Sequence, residues 1–361
     1  MTPLESLAAA LRGESPAVSS ELVDLAEAHG VDAWLARAPA AASASPALAA
    51  RLNAMAAARG ALAVAQDREL TRLLAHLASG GVSPIVVKGA YLAHAIYPLP
   101  ALRPRRDTDL VIAADELDIL ASLLDRAGYQ RLVHVRGTLI LGQCHFQRTD
   151  GLGVTHALDV HWRVAAPLVF RHVLPASALR VSRVPIPALG PYAWGPSRPH
   201  ALLIACVHLV AHHRAQPILL WLHDIARLVD AFDDADRTVF LETAEAVGIL
   251  SVCAAALDRA LRHVDGPALA ALAARTRHRS AARVEPSARL LTATRPIEDV
   301  WLDLRTAEGW RERVTLLREH LWPHPDYMRA TQADSRWLSL AYLRRALFGA
   351  WKWISPAVVD R

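Results

Sequence analysis

Only residues 85–163 carry a pattern of short strand-like apolar runs; on either side, apolar residues recur with helical spacing. Such a chain has room for one small sheet with helices packed around it. The order of the runs narrows the choice. "IVV" (85–87) reads as a short buried strand leading into Lys88-Gly89, and "AYLAHAIY" (90–97) suits a helix stopped by "PLP". "TDLVIA" (108–113) is the next strand. A helix through "ELDILASLLDRAGY" follows, with Asp115 as its expected cap and Gly128 as its stop. "QRLVHVRG", "TLILGQCHFQ" and "VTHALDVHWRV" alternate or are rich in β-branched residues, with glycine-containing turns between them. The succession β-α-β-α-β-β-β implies an α+β fold with a mixed sheet.

The flanks are helical. Residues 1–65 read as several short helices, broken at "RGESPAVSS" and "APAAASASPA". Leu70, Leu73, Leu74 and Leu77 then share one face of a helix over 66–79. "PALGPYAWGPSRP" (187–199) reads as a linker, and strong helices follow at 200–214 and 218–232. These breaks divide the chain into an N-terminal helical segment (1–65), a core (66–190) and a C-terminal helical region (191–361). With 53% hydrophobic and 21% charged residues the chain is globular, and its net charge of +5 favours an anionic partner. The three cysteines form no CxxC pair, which argues against a disulfide scaffold or a cysteine-rich zinc site. The opening "MTPLESLAAALRG" makes a poor signal peptide, and no run of about 18 apolar residues occurs, so the expected location is cytoplasmic.

The chemistry centres on "RPRRDTDLVI" (103–112). Residues i and i+2 of a strand point the same way, so Asp107 and Asp109 share a face and need a counter-charge. One answer is a divalent cation; the plainer one is pairing with Arg103, Arg105 or Arg106. "HALDVHW" (156–162) adds a third carboxylate. Asp159 and His161 share one strand face while Leu158, Val160 and Trp162 supply the core side. Three acidic groups on two strands can hold two metal ions about 4 Å apart, the arrangement used in phosphoryl and nucleotidyl transfer. Upstream, Lys88 and Gly89 form a strand-to-helix turn suited to a phosphate, although the Walker A spacing is absent.

The string "VVKGAYLAHAIYPLPALRPRRDTDLVI" followed by "ALDVHWRV" resembles an uncharacterised bacterial nucleotidyltransferase family. That family is a branch of the DNA polymerase β-like nucleotidyltransferase superfamily. The likeness covers residues 25–270 and is strongest over 85–163. It implies a small mixed sheet of polymerase β-like type flanked by helices, with Mg²⁺ (or Mn²⁺) on Asp107, Asp109 and Asp159. It also implies an NTP as substrate and Asp159 as the group that activates an acceptor hydroxyl. Lys88 and Gly89 fall where the superfamily has its Gly-Ser phosphate grip. Ala90 replaces the serine, and the interval to Asp107 is longer than usual, which leaves Lys88, Arg103 and Arg106 as candidates for the triphosphate contact. His161 is assigned to orienting Asp159 or the acceptor. The acceptor is open among peptide, protein, small molecule and RNA.

Other readings fit parts of the chain. Sugar-nucleotide glycosyltransferases also use D-x-D, but their apolar strand usually precedes the motif, whereas here "LVIA" follows it. His208, His212, His223 and Asp224 resemble the ligand pattern of an HD-type phosphohydrolase, against the plainer reading that Asp224 pairs with a nearby Arg or His. The tail 335–354 combines Trp337, Trp351 and Trp353 with Arg344, Arg345 and Lys352. It suits a docked helix or weak membrane-surface contact, and it leaves a non-catalytic nucleotide-binding module as an alternative.

Overall fold

The computed structural model describes residues 2–133, 137, 139–211, 217–293, 295–323, 325–331, 338–339 and 342. Among them are seven strands: β1 (Ile85–Val87), β2 (Thr108–Val111), β3 (Gln130–Arg131), β4 (Gln143–Thr149), β5 (Thr155–His161), β6 (Val184–Pro185) and β7 (Trp194–Gly195). They form one sheet in the order β3-β4-β5-β2-β1-β7-β6. β2 runs parallel to β5 and antiparallel to β1, so the sheet is mixed, and helices flank it as the α+β reading requires.

Alternation sorts the central strands into two faces. Cys144, Phe146, Leu158, Val160 and Leu110 are buried in the apolar core. The residues between them carry the polar face: Gln143 and His145 on β4, Asp159 and His161 on β5, and Asp109 on β2. Strand pairing fixes their order across the sheet, with His145 opposite Asp159 and Asp159 opposite Asp109.

Two helices interleave with the strands as the sequence suggests, Lys88–Ala95 after β1 and Leu117–Arg126 after β2. The second is capped differently from expectation. The Ala113 N–H donates to the Glu116 carboxylate at 2.8 Å, so Glu116 and not Asp115 satisfies that end, and Gly128 (φ +85°) closes the other.

Two expectations are corrected outside the central strands. Residues 46–79 form one helix, Pro46–Ser79, where a break before residue 66 was expected. Its Ala-rich first half has high helix propensity, and the single Gly60 costs only about 1 kcal/mol. The Pro/Gly-rich stretch read as a linker instead adds a hairpin to the sheet. The turn Pro187–Leu189 and Gly190 (φ +89°) reverse the chain so that Trp194 pairs with Ile85. The helix expected at 200–214 spans Arg198–Ala211, and His212 and His213 lie outside the described residues. So do Trp337, Arg344, Arg345, Trp351, Lys352 and Trp353 of the tail.

Gly195 lets this hairpin seat on the helix beneath it, because a Cβ there would lie 2.2 Å from Cδ2 of Tyr91, a ring too tightly packed to move aside. Gly195→Ala is therefore expected to destabilise the protein by about 1–3 kcal/mol in urea unfolding. An unchanged midpoint would show that the hairpin does not depend on this contact.

Candidate active site

The polar face of the sheet opens into a cleft of about 580 Å³. Lys88, Asp107, Asp109, Asp159 and Gln143 form its floor. One wall comes from the N-terminal helices through Glu27, His29 and Arg59. The other comes from helices Arg198–Ala211 and Leu219–Asp230 through Ile204, His208 and Trp221.

Asp109 and Asp159 sit side by side because β2 and β5 are parallel and in register at these residues. His161, two residues along β5, completes a group of three whose ligand atoms lie within 4.8 Å of one another. Asp109 is almost fully buried and accepts two hydrogen bonds at 2.8 Å, one from Lys88 Nζ and one at His161 Nε2. Burial alone would raise its pKa, but Lys88 and His161 overcome that and hold the carboxyl far below the usual carboxylate range. Burial, then the Lys88 charge, pushes the His161 pKa down against the pull of Asp109, which favours the neutral imidazole. A neutral ring can satisfy an ionised Asp109 only by donating from Nε2, and His161 Nδ1 is then buried with no hydrogen-bond partner among the described residues.

Asp107 stands beside these groups with less compensation. Burial, then the charges of Asp109 and Asp159, raise its pKa to about 6, against the opposing pull of Lys88 and Arg103. Asp159 is bound at Oδ1 by His145 Nδ1 at 2.5 Å and approached at Oδ2 by Gln143 Nε2 at 3.4 Å. The hydrogen bond to Asp159 raises the His145 pKa, although burial works against it. Asp109, Asp159 and His161 form a group that could hold a divalent cation, and Asp107 beside them is reluctant to ionise.

Lys88 holds a left-handed backbone (φ +50°), which is unusual for a residue with a side chain and turns β1 abruptly into the following helix. That turn is what lets Lys88 Nζ reach Asp109. Gly89 follows with Arg103 so close that a Cβ would sit 3.1 Å from its guanidinium.

The arginines divide into different roles. Arg103 is buried and forms a forked ion pair with Asp224, with Nε 2.9 Å from Oδ1 and a terminal nitrogen 2.8 Å from Oδ2. Tyr97 donates to the same carboxylate at 2.7 Å. Arg105 is also buried and pairs with Asp67 at 2.7 Å. Arg106 is exposed at the cleft edge. The segment before β2 is further pinned where Trp34 Nε1 donates to the Leu102 carbonyl and Gln66 Nε2 to the Arg105 carbonyl. These contacts tie the N-terminal helices and the helix of Asp224 to the loop that presents Asp107.

Of the residues singled out from the sequence, Lys88, Asp107, Asp109 and Asp159 lie on the cleft floor with Gly89 in the lining, and His161 is buried behind Asp109. The ring of His161, expected to orient Asp159 or the acceptor, bonds to Asp109. Gln143 and His145 join the site unannounced, although the alternation in "GQCHFQ" sets both opposite Cys144 and Phe146. The HD-type pattern does not assemble among the described residues: Asp224 is engaged by Arg103 and Tyr97, and His223 stacks on Trp34 at 6.3 Å.

A family model for uncharacterised nucleotidyltransferases matches residues 15–264, well over half the chain. The chain belongs to this family. A search of curated proteins found no match. The nucleotidyltransferase span takes in the whole sheet and both cleft walls, and it ends before helix Pro267–Ala281. A nucleotide is the substrate class this membership implies.

Two variants test these electrostatics. A carboxyl whose folded pKa lies near 6, above its ordinary 3.8, loses stability for the fold as pH rises from about 4 to past 6. Asp107→Asn is therefore expected to stabilise the protein by about 2 kcal/mol at pH 7.5 in chelator, and to give no gain at pH 4. Equal effects at both pH values would refute the charge crowding. Asp224→Ala strands a buried Arg103 and is expected to cost about 3–5 kcal/mol by chemical denaturation. A loss under 1 kcal/mol would mean Arg103 finds another partner.

Proposed function

We propose that the protein moves NMP from an NTP to a hydroxyl or phosphate acceptor with a divalent cation, Mg²⁺ or Mn²⁺, at the floor of the cleft. The observation that carries this reading is the in-register pair Asp109 and Asp159, with Asp107 raised in pKa beside them. A bound cation would be held by Asp107, Asp109 and Asp159, with His161 adjoining, and would polarise the α-phosphate and neutralise charge on the leaving oxygen.

The chain's own groups supply the rest. Lys88 balances Asp109, and its ammonium borders the cleft where a pyrophosphate would leave. Arg106 stands at the cleft edge with an unburied guanidinium for the same negative charge. Arg103 serves by position, since its charge is matched by Asp224 and its bulk packs against Gly89. Asp159 takes the proton of the acceptor hydroxyl, and His145, hydrogen-bonded to it, fixes the orientation of the carboxylate.

Transfer of another group is the competing chemistry, and the position of the label decides between them. Incubation with α-³²P-labelled NTPs, Mg²⁺ and lysate fractions is expected to label an acceptor. Asp109→Asn and Asp159→Asn should each lower that labelling by at least about 100-fold. Labelling from γ-³²P alone would replace this reading with phosphoryl transfer, and undiminished labelling by the variants would remove the carboxylates from the mechanism.

A further inference from the structure

Helix Gly309–Leu321 lies beyond the family span and presents two opposite faces. One face docks on the body. Leu316 is fully buried with Leu168 and Ala307, Glu312 pairs with Arg171 at 3.0 Å, and Glu319 accepts from the Leu139 and Ile140 N–H groups at 3.0 Å. At 3.6 residues per turn, Trp310, Val314, Leu317 and Leu321 form a narrow stripe on the other side of the helix. All four are exposed, Trp310 by 69%, and Trp322, directly after the helix, is exposed by 63%. Arg311 and Arg318 flank the stripe on one side and Arg313 on the other, and all three are exposed.

A helix anchored only by its docked face gains nothing for folding from a row of large apolar residues in water. Charge identifies the occupant. Residues 309–361 contain nine Lys and Arg against five Asp and Glu, so this seventh of the chain holds a net +4 of the total +5. It also holds five of the ten tryptophans. Glu312 and Glu319, the acidic residues of the helix, are turned inward, so its outer face offers only positive charge around an apolar stripe. The tail sequence 335–354 is itself apolar and basic, which makes it an electrostatically poor cover for this face. Apolar residues that enter the acyl boundary, tryptophans at its edge and arginines at the headgroups are the requirements of an interfacial helix.

We infer that the outer face of helix Gly309–Leu321 is a docking surface for an anionic lipid bilayer, which would place the catalytic cleft at a membrane. The inference does not depend on which group the cleft transfers. No helix among the described residues is long and apolar enough to cross a membrane, so this contact is peripheral.

The test is flotation of the full-length chain with phosphatidylcholine vesicles, with and without 30% phosphatidylglycerol. The wild type is expected to float with the anionic vesicles only and to be released by high salt. Val314→Glu with Leu317→Glu should reduce the bound fraction at least fivefold, as should Arg311→Gln with Arg318→Gln. Leu152→Glu, at an exposed apolar position on the β4–β5 turn, should leave it unchanged. Brominated lipids should quench wild-type tryptophan emission, a readout that needs no variant. Absence of flotation and quenching would overturn the inference, as would full binding by both double variants. Loss of self-association in the glutamate variant, without vesicle binding by the wild type, would assign the stripe to a second copy of the chain instead.

Discussion

Asp109 and Asp159 face each other across two parallel strands, and the design of this protein follows from having to tolerate that pair. Like charges a strand apart repel, and burial makes the repulsion worse. The fold answers with Lys88 and His161 on Asp109 and with His145 on Asp159, each a specific hydrogen bond from a neighbouring strand or turn. Among the described residues no hydrogen bond compensates Asp107, and its raised pKa reflects the conflict. A fold selected for stability alone would put an apolar or amide group there. Keeping a carboxyl in that position makes sense when a cation completes the site.

The surrounding architecture serves to hold this floor in place. The left-handed turn at Lys88 brings an ammonium to Asp109 at a backbone cost of about 1–3 kcal/mol, and burial of Val86, Val87 and Ala90 on either side offsets it. The Arg103–Asp224–Tyr97 network ties the segment before β2 to a helix more than 120 residues later. Buried ion pairs of this kind add little net stability but penalise any other arrangement. The segment that presents Asp107 is thus fixed from both sides, by Trp34 and Gln66 of the N-terminal helices and by Asp224 of the later ones.

The succession of central strands along the chain and the Asp107-x-Asp109 pair were legible in the sequence because both are local. Strand runs announce themselves by alternation, and D-x-D followed by "LVI" puts two carboxylates on one side of one strand. The remainder depends on partners far apart in the chain. Nothing around Arg103 says that Asp224 will take its charge, and a row of arginines beside two aspartates invites the nearer pairing. Gln143 and His145 reach Asp159 only through the β4–β5 register, which a single sequence does not disclose. The edge hairpin was hidden because Pro and Gly are breakers in an interior strand yet acceptable in two-residue strands at a sheet margin. Likewise, the stripe of helix Gly309–Leu321 looks like a core face until its docked side proves to be the opposite one.

Metal binding tests the acidic floor without reference to any substrate. Titration of the protein with Mn²⁺, followed by loss of the free-ion paramagnetic resonance signal, reports binding without reference to any reaction. At least one ion is expected to bind per chain, more tightly when a non-hydrolysable NTP is present, and that binding is expected to be lost in Asp109→Asn and Asp159→Asn. A signal that stays that of the free ion, or an identical isotherm for wild type and both variants, would exclude a cation site on these carboxylates.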